Sequence, residues 1–539
     1  MKTLIRKVVP KCYIWPDGAK AGMMDVSRDA MAVTVSKDIN AAAGRWSLTL
    51  LARRGVASCA AAPLLADVER LLQPNSVVSL GVDRPGGMTL GLVDAVSVRD
   101  SREGRGARVI TIEGSDFGKT LEREAILHAI LNVSDQGKFF TAIIEALGEK
   151  NALIERLPGL WGPQSVSPYS YDENIPLSAF ESMGQSISAA WVGKSPIDVL
   201  KWALTLPSVT FPALACLGGS GRTSDLISID DSVKSSWFDG RLNSEWPNSY
   251  QGTVWNFMKQ LLDEDVYELF TETLPIGMDT FARTGRLTYP EVPAVRLVLR
   301  PKPFDEPDLE FLPVKEQPGS DWKSLKTFIR QSENHQIESH EVYSANLART
   351  DSDTFSLYKV LSDNSLFGSD AALQAGLSYP AADTARMQRY GLRSYDTQVK
   401  LVPYELNKAV GPGGINSDAL LDEVIEFRNR LLNWYRLNDS FLGGSIEVAG
   451  RDEYRVGDPV LLPWLEAPRT STLSYLPSKG IRAYVVGVQH AWRPGSYRTS
   501  LRVIRGHNDA MVERAKADIA GYGTPSAPDG LAATGLGTS

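Results

Sequence analysis

The chain has 539 residues, 43% hydrophobic and 22% charged, with a net charge of -7, which is ordinary for a folded protein and long enough for roughly three or four domains. Helical membrane proteins are excluded because no apolar run approaches roughly 18 residues, and the mildly acidic charge argues against a dedicated nucleic-acid binder. Cys12, Cys59 and Cys216 are odd in number and far apart, so the sequence predicts no disulfide scaffold and no zinc site.

Charge is distributed unevenly along the chain. Residues 1–60 hold ten Lys or Arg against four Asp, a net charge of +6, whereas residues 263–321 hold thirteen acids against six bases, a net charge of -7. Solvated surfaces of either sign are the simpler explanation. The alternative is a subunit interface in which the two segments have complementary charge. Near the N-terminus, Lys7, Pro10 and Lys11 interrupt the apolar stretch, so we expect a soluble protein without a signal peptide.

The first domain is predicted to be β-rich. Residues 32–53 contain two strand-like pieces around an Asn/Ala/Gly break, and residues 63–72 are a short helical candidate. A meander follows at residues 75–114, in which the strands VVSLGV, TLGLVDAVSVRD and RVITIEG are separated by the turn clusters RPGG and SREGRG. A β-barrel or rolled sheet would remove the edges that such strands otherwise expose.

Helical spacing appears in the middle of the chain. In residues 116–157 the apolar positions fit a helical period, followed by a Pro-, Ser- and aromatic-rich loop at residues 157–171. Further helices are predicted at residues 196–206 and from Thr253 onward. The positions that carry the first helical pattern are Leu121, Ile126, Leu127, Ile130 and Leu131, and those predicted to be buried in the helix after Thr253 are Trp255, Met258, Leu261 and Leu262.

The second half of the chain returns to strand patterns. VYELFTET and AVRLVLRPKPF indicate two strands, the second with Val295, Leu297 and Leu299 on an apolar face and Arg296, Val298 and Arg300 on a largely basic one. A helix is predicted from a cap at Asn416 or Ser417 to about Leu437, ended by Gly443 and Gly444. Strands SIEVAG and PVLLPWL come next, with the turn RDEYRVGD between them.

A long hairpin closes the folded part, at residues 484–506, and a low-complexity tail follows at residues 521–539. Between the arms, Pro494 and Gly495 provide the φ near -65° and the positive φ of a type II turn. Alternation places one buried side on each arm. These buried positions are Val486, Val488, His490 and Trp492 on the first arm and Tyr497, Thr499, Leu501 and Val503 on the second.

No stretch predicts catalysis or metal binding. His335 and His340 are five residues apart, which does not align two ligands on one helical face. The cluster GGSGRT at residues 218–223 lacks the phosphate-loop lysine because Arg222 takes that place, and Ser220 fails the nucleophile-elbow pattern for the same reason. Asp263, Glu264 and Asp265 leave a glycosidase pair open, although acids at a helix end are usually solvated. We predict no catalytic, cofactor-binding or metal residue, no cofactor, and no enzymatic activity.

Four segments, taken together and in order, resemble a known family. They are RVITIEGSDFGKTLER (residues 108–123), TVWNFMKQLLDEDVYELF with AVRLVLRPKPF (residues 253–270 and 294–304), ARMQRYGLRSYD (residues 385–396), and YRVGDPVLLP with VVGVQHAW and TSLRVIRG (from residue 454 on). In these segments the chain resembles the central hub protein of bacteriophage tail baseplates, a family related to the front part of type VI secretion spike proteins. The similarity extends to about His507.

The resemblance implies a fold and a set of partners. It implies a β-rich α+β, multidomain chain with two tail-tube-like β-barrel domains and helical and mixed α/β insertions. It also implies a homotrimer that contacts the tail tube or distal tail protein, the central spike protein and the tape measure protein, and lets DNA pass without sequence-specific binding. The domain limits that we expect are 1–120 for the first barrel, 121–275 for a helix-rich insertion, 276–415 for a mixed β domain contributing to the second barrel, 416–440 for a helix, 441–510 for a C-terminal β domain and 511–539 for a short helix and tail.

The sequence thus predicts a virion protein, the structural hub of a tail baseplate, assembled in the host cytoplasm. Two alternatives stay open: a virion-associated peptidoglycan hydrolase, and the spike-base protein of a contractile secretion system. The segments resemble no lysozyme-like insertion and no metallopeptidase, so wall cutting is expected in another subunit. A secretion spike would be expected to continue into Gly-containing β-helix repeats, whereas here a low-complexity tail follows.

Overall fold

The structure is a computed structural model that describes part of the chain. Within the described residues, no helix has the length and apolar character needed to cross a membrane. The described residues are 8–15, 24–52, 72, 74–82, 86–100, 108–123, 125–130, 227–230, 241–242, 249–261, 264–265, 267–273, 295–301, 335–362, 381–399, 401–402, 428, 431–432, 434–465, 480–508, 511–512, 515 and 517.

Strands dominate the described N-terminal half. Two short helices interrupt them, α1 (Gly118–Arg123) and α2 (Val254–Leu261). The strands are β1 (Lys11–Trp15), β2 (Met24–Asp25), β3 (Ala30–Asp38), β4 (Arg45–Ala52), β5 (Val77–Gly81), β6 (Thr89–Asp100), β7 (Arg108–Asp116), β8 (Ala125–Ile130), β9 (Ile227–Asp230), β10 (Arg241–Leu242), β11 (Ser249–Thr253), β12 (Tyr267–Thr273) and β13 (Val295–Pro301).

The C-terminal half has one further helix with described bounds, α3 (Thr384–Tyr390), which Asp383 caps by accepting a hydrogen bond from the Arg386 backbone. Its strands are β14 (His335–Gln336), β15 (Val342–Ala348), β16 (Leu357–Ser362), β17 (Ala381–Ala382), β18 (Ser394–Val399), β19 (Leu401–Val402), β20 (Leu442–Ala449), β21 (Pro459–Leu462), β22 (Ile481–Arg493) and β23 (Ser496–His507).

One large curled sheet of thirteen strands joins the two ends of the chain. Its order is β15-β20-β23-β22-β3-β4-β7-β6-β5-β1-β2, with β21 paired to β22 and β14 paired to β21. The joint between the halves is the antiparallel pairing of β22 with β3, where His490 lies opposite Val35. Eight of these strands, from β15 to β6, are consecutive and antiparallel throughout.

Two hydrophobic cores lie against this sheet. The first is built mainly by β1 to β7, and the C-terminal hairpin adds Trp492 and Tyr497 to it. The second core is built by β20 to β23 with Ile337 beside β14, and β12 and β13 add Phe270 and Val298. Each core therefore recruits side chains that are distant in sequence. Because burial of apolar area is the main stabilising term, neither half of the sheet packs fully without the other.

Smaller sheets surround the large one. The sheet β12-β13-β9 has β13 between an antiparallel and a parallel neighbour, and the sheet β17-β16-β18 pairs β16 with β18 in parallel. Strand β12 is attached to the loop after β3, because the Leu269 backbone N–H donates to Asn40 Oδ1 at 3.2 Å. In α2, the side chains of Val254, Trp255, Phe257 and Met258 are buried, which confirms the predicted helix and the predicted burial of Trp255 and Met258. The side chains of Leu261 and Leu262 lie outside the described part.

The β-rich fold, the N-terminal meander and the closing hairpin are confirmed. The hairpin arms β22 and β23 bury the side chains that alternation predicted, and Gly495 has the positive φ, 82°, expected of its turn. The limits of the predicted domains stay a prediction. Predicted elements at residues 63–72 (except Leu72), 131–226 and 518–539 lie outside the described residues. Of the predicted 416–437 helix, the residues described as helical are Arg428, Leu431, Leu432, Trp434 and Tyr435.

Three details of the prediction are wrong. Residues 125–130 form strand β8 rather than a helix, because pairing with β11 overrides a local apolar spacing that fits both periods. Gly443 and Gly444 lie inside strand β20 instead of ending a helix. Val298 is 1% exposed and belongs to the second core. At this position, the face of β13 that was predicted to be largely basic is therefore buried, as is the opposite face at Leu297.

Candidate functional site: a polar face across eight strands

One face of the large sheet is polar and accessible to solvent from β15 to β6. Residues opposite each other in antiparallel strands share a face, so the register defines rows of side chains. The first row is Ser344, Glu447, Ser500, Gln489, Ser36 and Arg45; the second is Ala449, Arg498, Ala491, Thr34, Ser47, Glu113 and Ala95; the third is Asn346, Ser445, Arg502, Gly487 and Asp38. We call these rows the polar face.

The polar face arises mainly from alternation of buried and solvated residues along its strands. In β3, Thr34 and Ser36 alternate with the buried Val33 and Val35, so the polar side chains point away from the cores. Strands β20, β23, β22, β4 and β7 also alternate with buried side chains, whereas β15 and residues 94–99 of β6 contain no buried residue. The rows consist of Ser, Thr, Asn, Gln, Ala, Gly, Asp, Glu and Arg, without aromatic or branched aliphatic side chains. The rows are therefore polar and hydrated, whereas further along the same face Leu51 and Val109 lie opposite each other and are partly exposed.

Charges on the polar face are largely neutralised in pairs. Arg498 donates to Glu447 at 2.9 Å, and Arg502 lies 2.9 Å from Asp38. The second pair reaches across Gly487 on the intervening strand, where a Cβ would lie 2.3 Å from Asp38 Oδ1. Glycine at this position thus leaves room for the ion pair. These exposed pairs add little stability, but they neutralise two of the three arginines in the rows, while the exposed Arg45 is in neither pair.

One aromatic side chain lies beside the polar face at its edge. The register between β15 and β20 shifts between Val342 and Ser344, so Tyr343 is the bulged residue and is 57% exposed. The Arg498 guanidinium lies 4.7 Å from the centre of the Tyr343 ring. A β-bulge changes the direction of the bulged side chain, here that of Tyr343, and the cation–π contact with Arg498 fixes the position of its ring.

Behind the sheet, a polar cluster separates the two cores. Lys37 Nζ lies 2.7 Å from Asp116 Oδ2 and 2.6 Å from Thr271 Oγ1, so β3, the end of β7 and β12 meet at one point. Asp116 also accepts from the backbone N–H groups of Gly44 at 2.8 Å and Gly118 at 2.9 Å. Because each group has partners, the cluster ties the small sheet of β12 to the seam between the cores.

A second buried network connects the C-terminal hairpin to the N-terminal meander. The Tyr497 hydroxyl donates to Asp452 at 2.6 Å, and Asp452 accepts from the Val82 backbone N–H at 2.8 Å. His490 Nδ1 lies 3.0 Å from Thr499 Oγ1 and 3.2 Å from the Tyr497 hydroxyl. Burial lowers the pKa of His490 to about 4, although the nearby Asp452 charge acts in the opposite direction. The imidazole is therefore neutral at pH 7.

The residues considered as catalytic or metal-binding candidates in the sequence do not lie together in the structure. His335 is buried near Asp458 at 3.7 Å, whereas His340 is exposed. Glu264 pairs with Lys259 at 3.0 Å, and Asp265 accepts hydrogen bonds from the Tyr395 and Thr397 hydroxyls, so this acid supports β18. Residues 218–223 and Asp263 lie outside the described part. Among the described residues, no group of three or more His, Cys, Asp or Glu could hold a metal ion.

The chain is similar to several solved structures. A tail protein from Neisseria meningitidis MC58 is 10% identical with a TM-score of 0.45, the match covering 94% of this chain and 99% of that one. A 43 kDa tail protein of prophage MuSo2 from Shewanella oneidensis is 8% identical with a TM-score of 0.40, covering 93% and 99%. An Escherichia coli component of the type VI secretion system, described as similar to two bacteriophage T4 tail proteins, is 9% identical with a TM-score of 0.34, covering 89% and 74%.

These structures belong to the class of protein that the sequence resembles, phage tail proteins and proteins related to secretion spikes. No protein-family model matches the chain, and no curated protein is significantly similar to it in sequence. With TM-scores below 0.5, the overlap of the backbones is loose. The function proposed below therefore rests on this chain's own residues.

Proposed function

We propose that this chain is the structural hub of a phage tail baseplate. Three copies close into a ring that joins the tail tube to the central spike, and the polar face forms the wall of the passage through which DNA leaves the virion. The hub contacts the tail tube or distal tail protein on one side and the spike on the other, with the tape measure protein in the passage before ejection. Assembly takes place in the host cytoplasm.

The polar face is the observation that carries this proposal. A half-buried antiparallel sheet usually has one solvated face, but here the solvated face continues over eight strands. The side chains of its rows are polar or small, and two of the three arginines in those rows, Arg498 and Arg502, are each paired with an acid. A wall that a polyanion must slide past needs this combination, because unpaired Lys or Arg would bind phosphates and large apolar groups would bind other surfaces.

The dimensions of a closed ring agree with this role. Three copies of eight strands make a wall of 24 strands. With strands about 4.8 Å apart and tilted by about 40°, the circumference is roughly 150 Å and the backbone lies about 24 Å from the axis. Barrels of 16 to 18 strands already leave an aqueous channel, so a ring of this size has an open passage.

Electron microscopy of labelled rings tests the proposal. We expect native mass spectrometry to give a mass three times 58.9 kDa, and class averages to show a ring with a central hole. In a chain in which Cys59 and Cys216 are replaced by Ser, Ser47→Cys carrying a biotin should place streptavidin over the hole. Leu392→Cys, exposed but outside the polar face, is the matched control and should place it on the outside.

Two results would contradict the proposal. Streptavidin on the outer surface from Ser47→Cys would remove the polar face from the passage while leaving a ring intact. A monomeric mass at micromolar concentration would remove the ring itself. Release of soluble muropeptides from purified cell wall by this chain would instead favour the hydrolase alternative.

A further inference from the structure

The end of helix α3 carries the most exposed large hydrophobic side chain among the described residues. Leu392 is 67% exposed, against 37% to 57% for the other four exposed hydrophobic residues. It follows Gly391, which ends the helix with a positive φ of 79° and has open space beside it, since a Cβ there would meet nothing within 4 Å. A single exposed leucine is ordinary on a protein surface, so its neighbours decide what it can do.

Two exposed arginines flank Leu392, and one tyrosine ring contacts both. The guanidinium carbon of Arg389 lies 5.1 Å from the centre of the Tyr390 ring, and that of Arg393 lies 5.5 Å from it. The side chains of Arg389 and Arg393 are 59% and 39% exposed. Two N–H groups of Arg393 donate to Asp351, at 2.7 and 2.8 Å. A guanidinium group has five N–H donors, so Arg393 keeps donors for another acceptor.

A buried polar network fixes the position of this tyrosine. Asp439, whose side chain is 4% exposed, accepts from the Tyr390 hydroxyl at 2.9 Å and from the Arg386 guanidinium. Arg386 also donates to the Arg436 carbonyl at 2.9 and 3.1 Å. Arg389 lies 3.9 Å from Asp439, which is too far for a hydrogen bond. Because Tyr390 is held at its hydroxyl and contacts both guanidinium groups, little side-chain entropy is lost when a partner binds.

We propose that residues 389–393, here called the α3 tip, dock a partner protein that presents an acidic surface with an apolar pocket. The pocket takes Leu392, and carboxylates beside it pair with Arg389 and Arg393. Arginine and tyrosine are enriched among the residues that dominate binding energy, and guanidinium groups bind carboxylates in a bidentate, directional manner. Because α3 connects β17 to β18 in a small sheet, the α3 tip is separate from the polar face, and this inference goes beyond the proposed function.

Charge and apolar area favour an acidic protein over a membrane. Two arginines against one tyrosine ring concentrate positive charge, which attracts an acidic surface and disfavours a basic one. An anionic membrane would attract the same charges, but attachment to lipid needs a larger buried apolar area than one leucine supplies. In a protein pocket, in contrast, burial of one leucine side chain changes the affinity by about tenfold or more.

Selection from a random peptide library tests the α3 tip without assuming the sequence of the partner. Peptides enriched on the full chain should combine Asp or Glu with apolar residues. Leu392→Ser should weaken their binding about tenfold, and Arg389→Gln about threefold, with a smaller effect of Arg389→Gln at high salt. Met31→Ser and Arg28→Gln change an exposed hydrophobic residue and an exposed arginine elsewhere, so they are the matched controls and should bind like the wild type.

Reversal of one charge gives an independent measurement. Selection on Arg389→Glu, whose far-UV circular dichroism should match the wild type, should enrich peptides with fewer acids. The docking site would be overturned by an unchanged acid content on this variant, by equal binding to Leu392→Ser, or by a library in which nothing is enriched. Sedimentation with phosphatidylserine vesicles that Leu392→Ser abolishes would replace the protein partner by a membrane. None of these results depends on a trimer, so the proposed ring is tested separately.

Discussion

Acidification should destabilise the junction of the two cores through His490. Its imidazole is 4% exposed and bonds to Thr499, and burial lowers its pKa from 6.5 to about 4. A buried neutral histidine binds its proton less readily than the unfolded chain does. The stability that this group contributes is therefore present above pH 6.5 and falls as the pH drops toward 4, with a loss of about 1 kcal/mol at pH 5.5 and about 3 kcal/mol at pH 4.5.

Urea unfolding of the wild type and His490→Gln at pH 7.5, 5.5 and 4.5 isolates this contribution, because carboxylates titrate in both proteins. At pH 7.5 the variant should be less stable, since glutamine cannot reproduce the contacts of the ring with Thr499 and Tyr497. The difference in unfolding free energy should shrink by about 1 kcal/mol at pH 5.5 and by about 3 kcal/mol at pH 4.5. A gap that stays constant across these three pH values would refute the reasoning.

Two substitutions probe the packing of the sheet. Gly114→Ala places a Cβ 2.2 Å from the Trp46 ring, so we expect a loss of about 3 kcal/mol in urea unfolding, whereas Gly443→Ala meets nothing nearer than 3.5 Å and should lose under about 1 kcal/mol; equal losses would contradict the clash. Tyr484→Phe removes the buried hydroxyl that donates to Glu268 at 2.5 Å, and it should cost about 1 to 3 kcal/mol at neutral pH, measured in the same way. An unchanged midpoint would mean that Glu268 keeps adequate partners.

Elements with a strong local signal could be predicted from the sequence. The closing hairpin combines strict alternation with Pro494 and Gly495, and both its turn and its buried side chains are as predicted. Alternation in β3 and β4 likewise identifies the polar positions. Strand β8 could not be predicted, since AILHAI fits both periods and its partner β11 lies more than a hundred residues later.

The polar face as a whole could not be predicted. Alternation shows that Thr34 and Arg498 are solvated, but only the register of β22 with β3 places them in one row. Register between strands more than four hundred residues apart depends on packing of the two cores. The proposed charge complementarity between residues 1–60 and 263–321 stays a prediction, because residues 302–334 lie outside the described part.

The entry of Trp492 and Tyr497 into the first core has a consequence for biosynthesis. During synthesis, residues 11–116 leave the ribosome long before the hairpin that completes their core. Until then, part of the apolar surface of the nascent N-terminal sheet remains exposed. Contacts of such long range slow folding, because a large loop must close before they form. A chain truncated before residue 481 would leave this first core unfinished, so only polypeptides that extend through the hairpin would become competent to assemble.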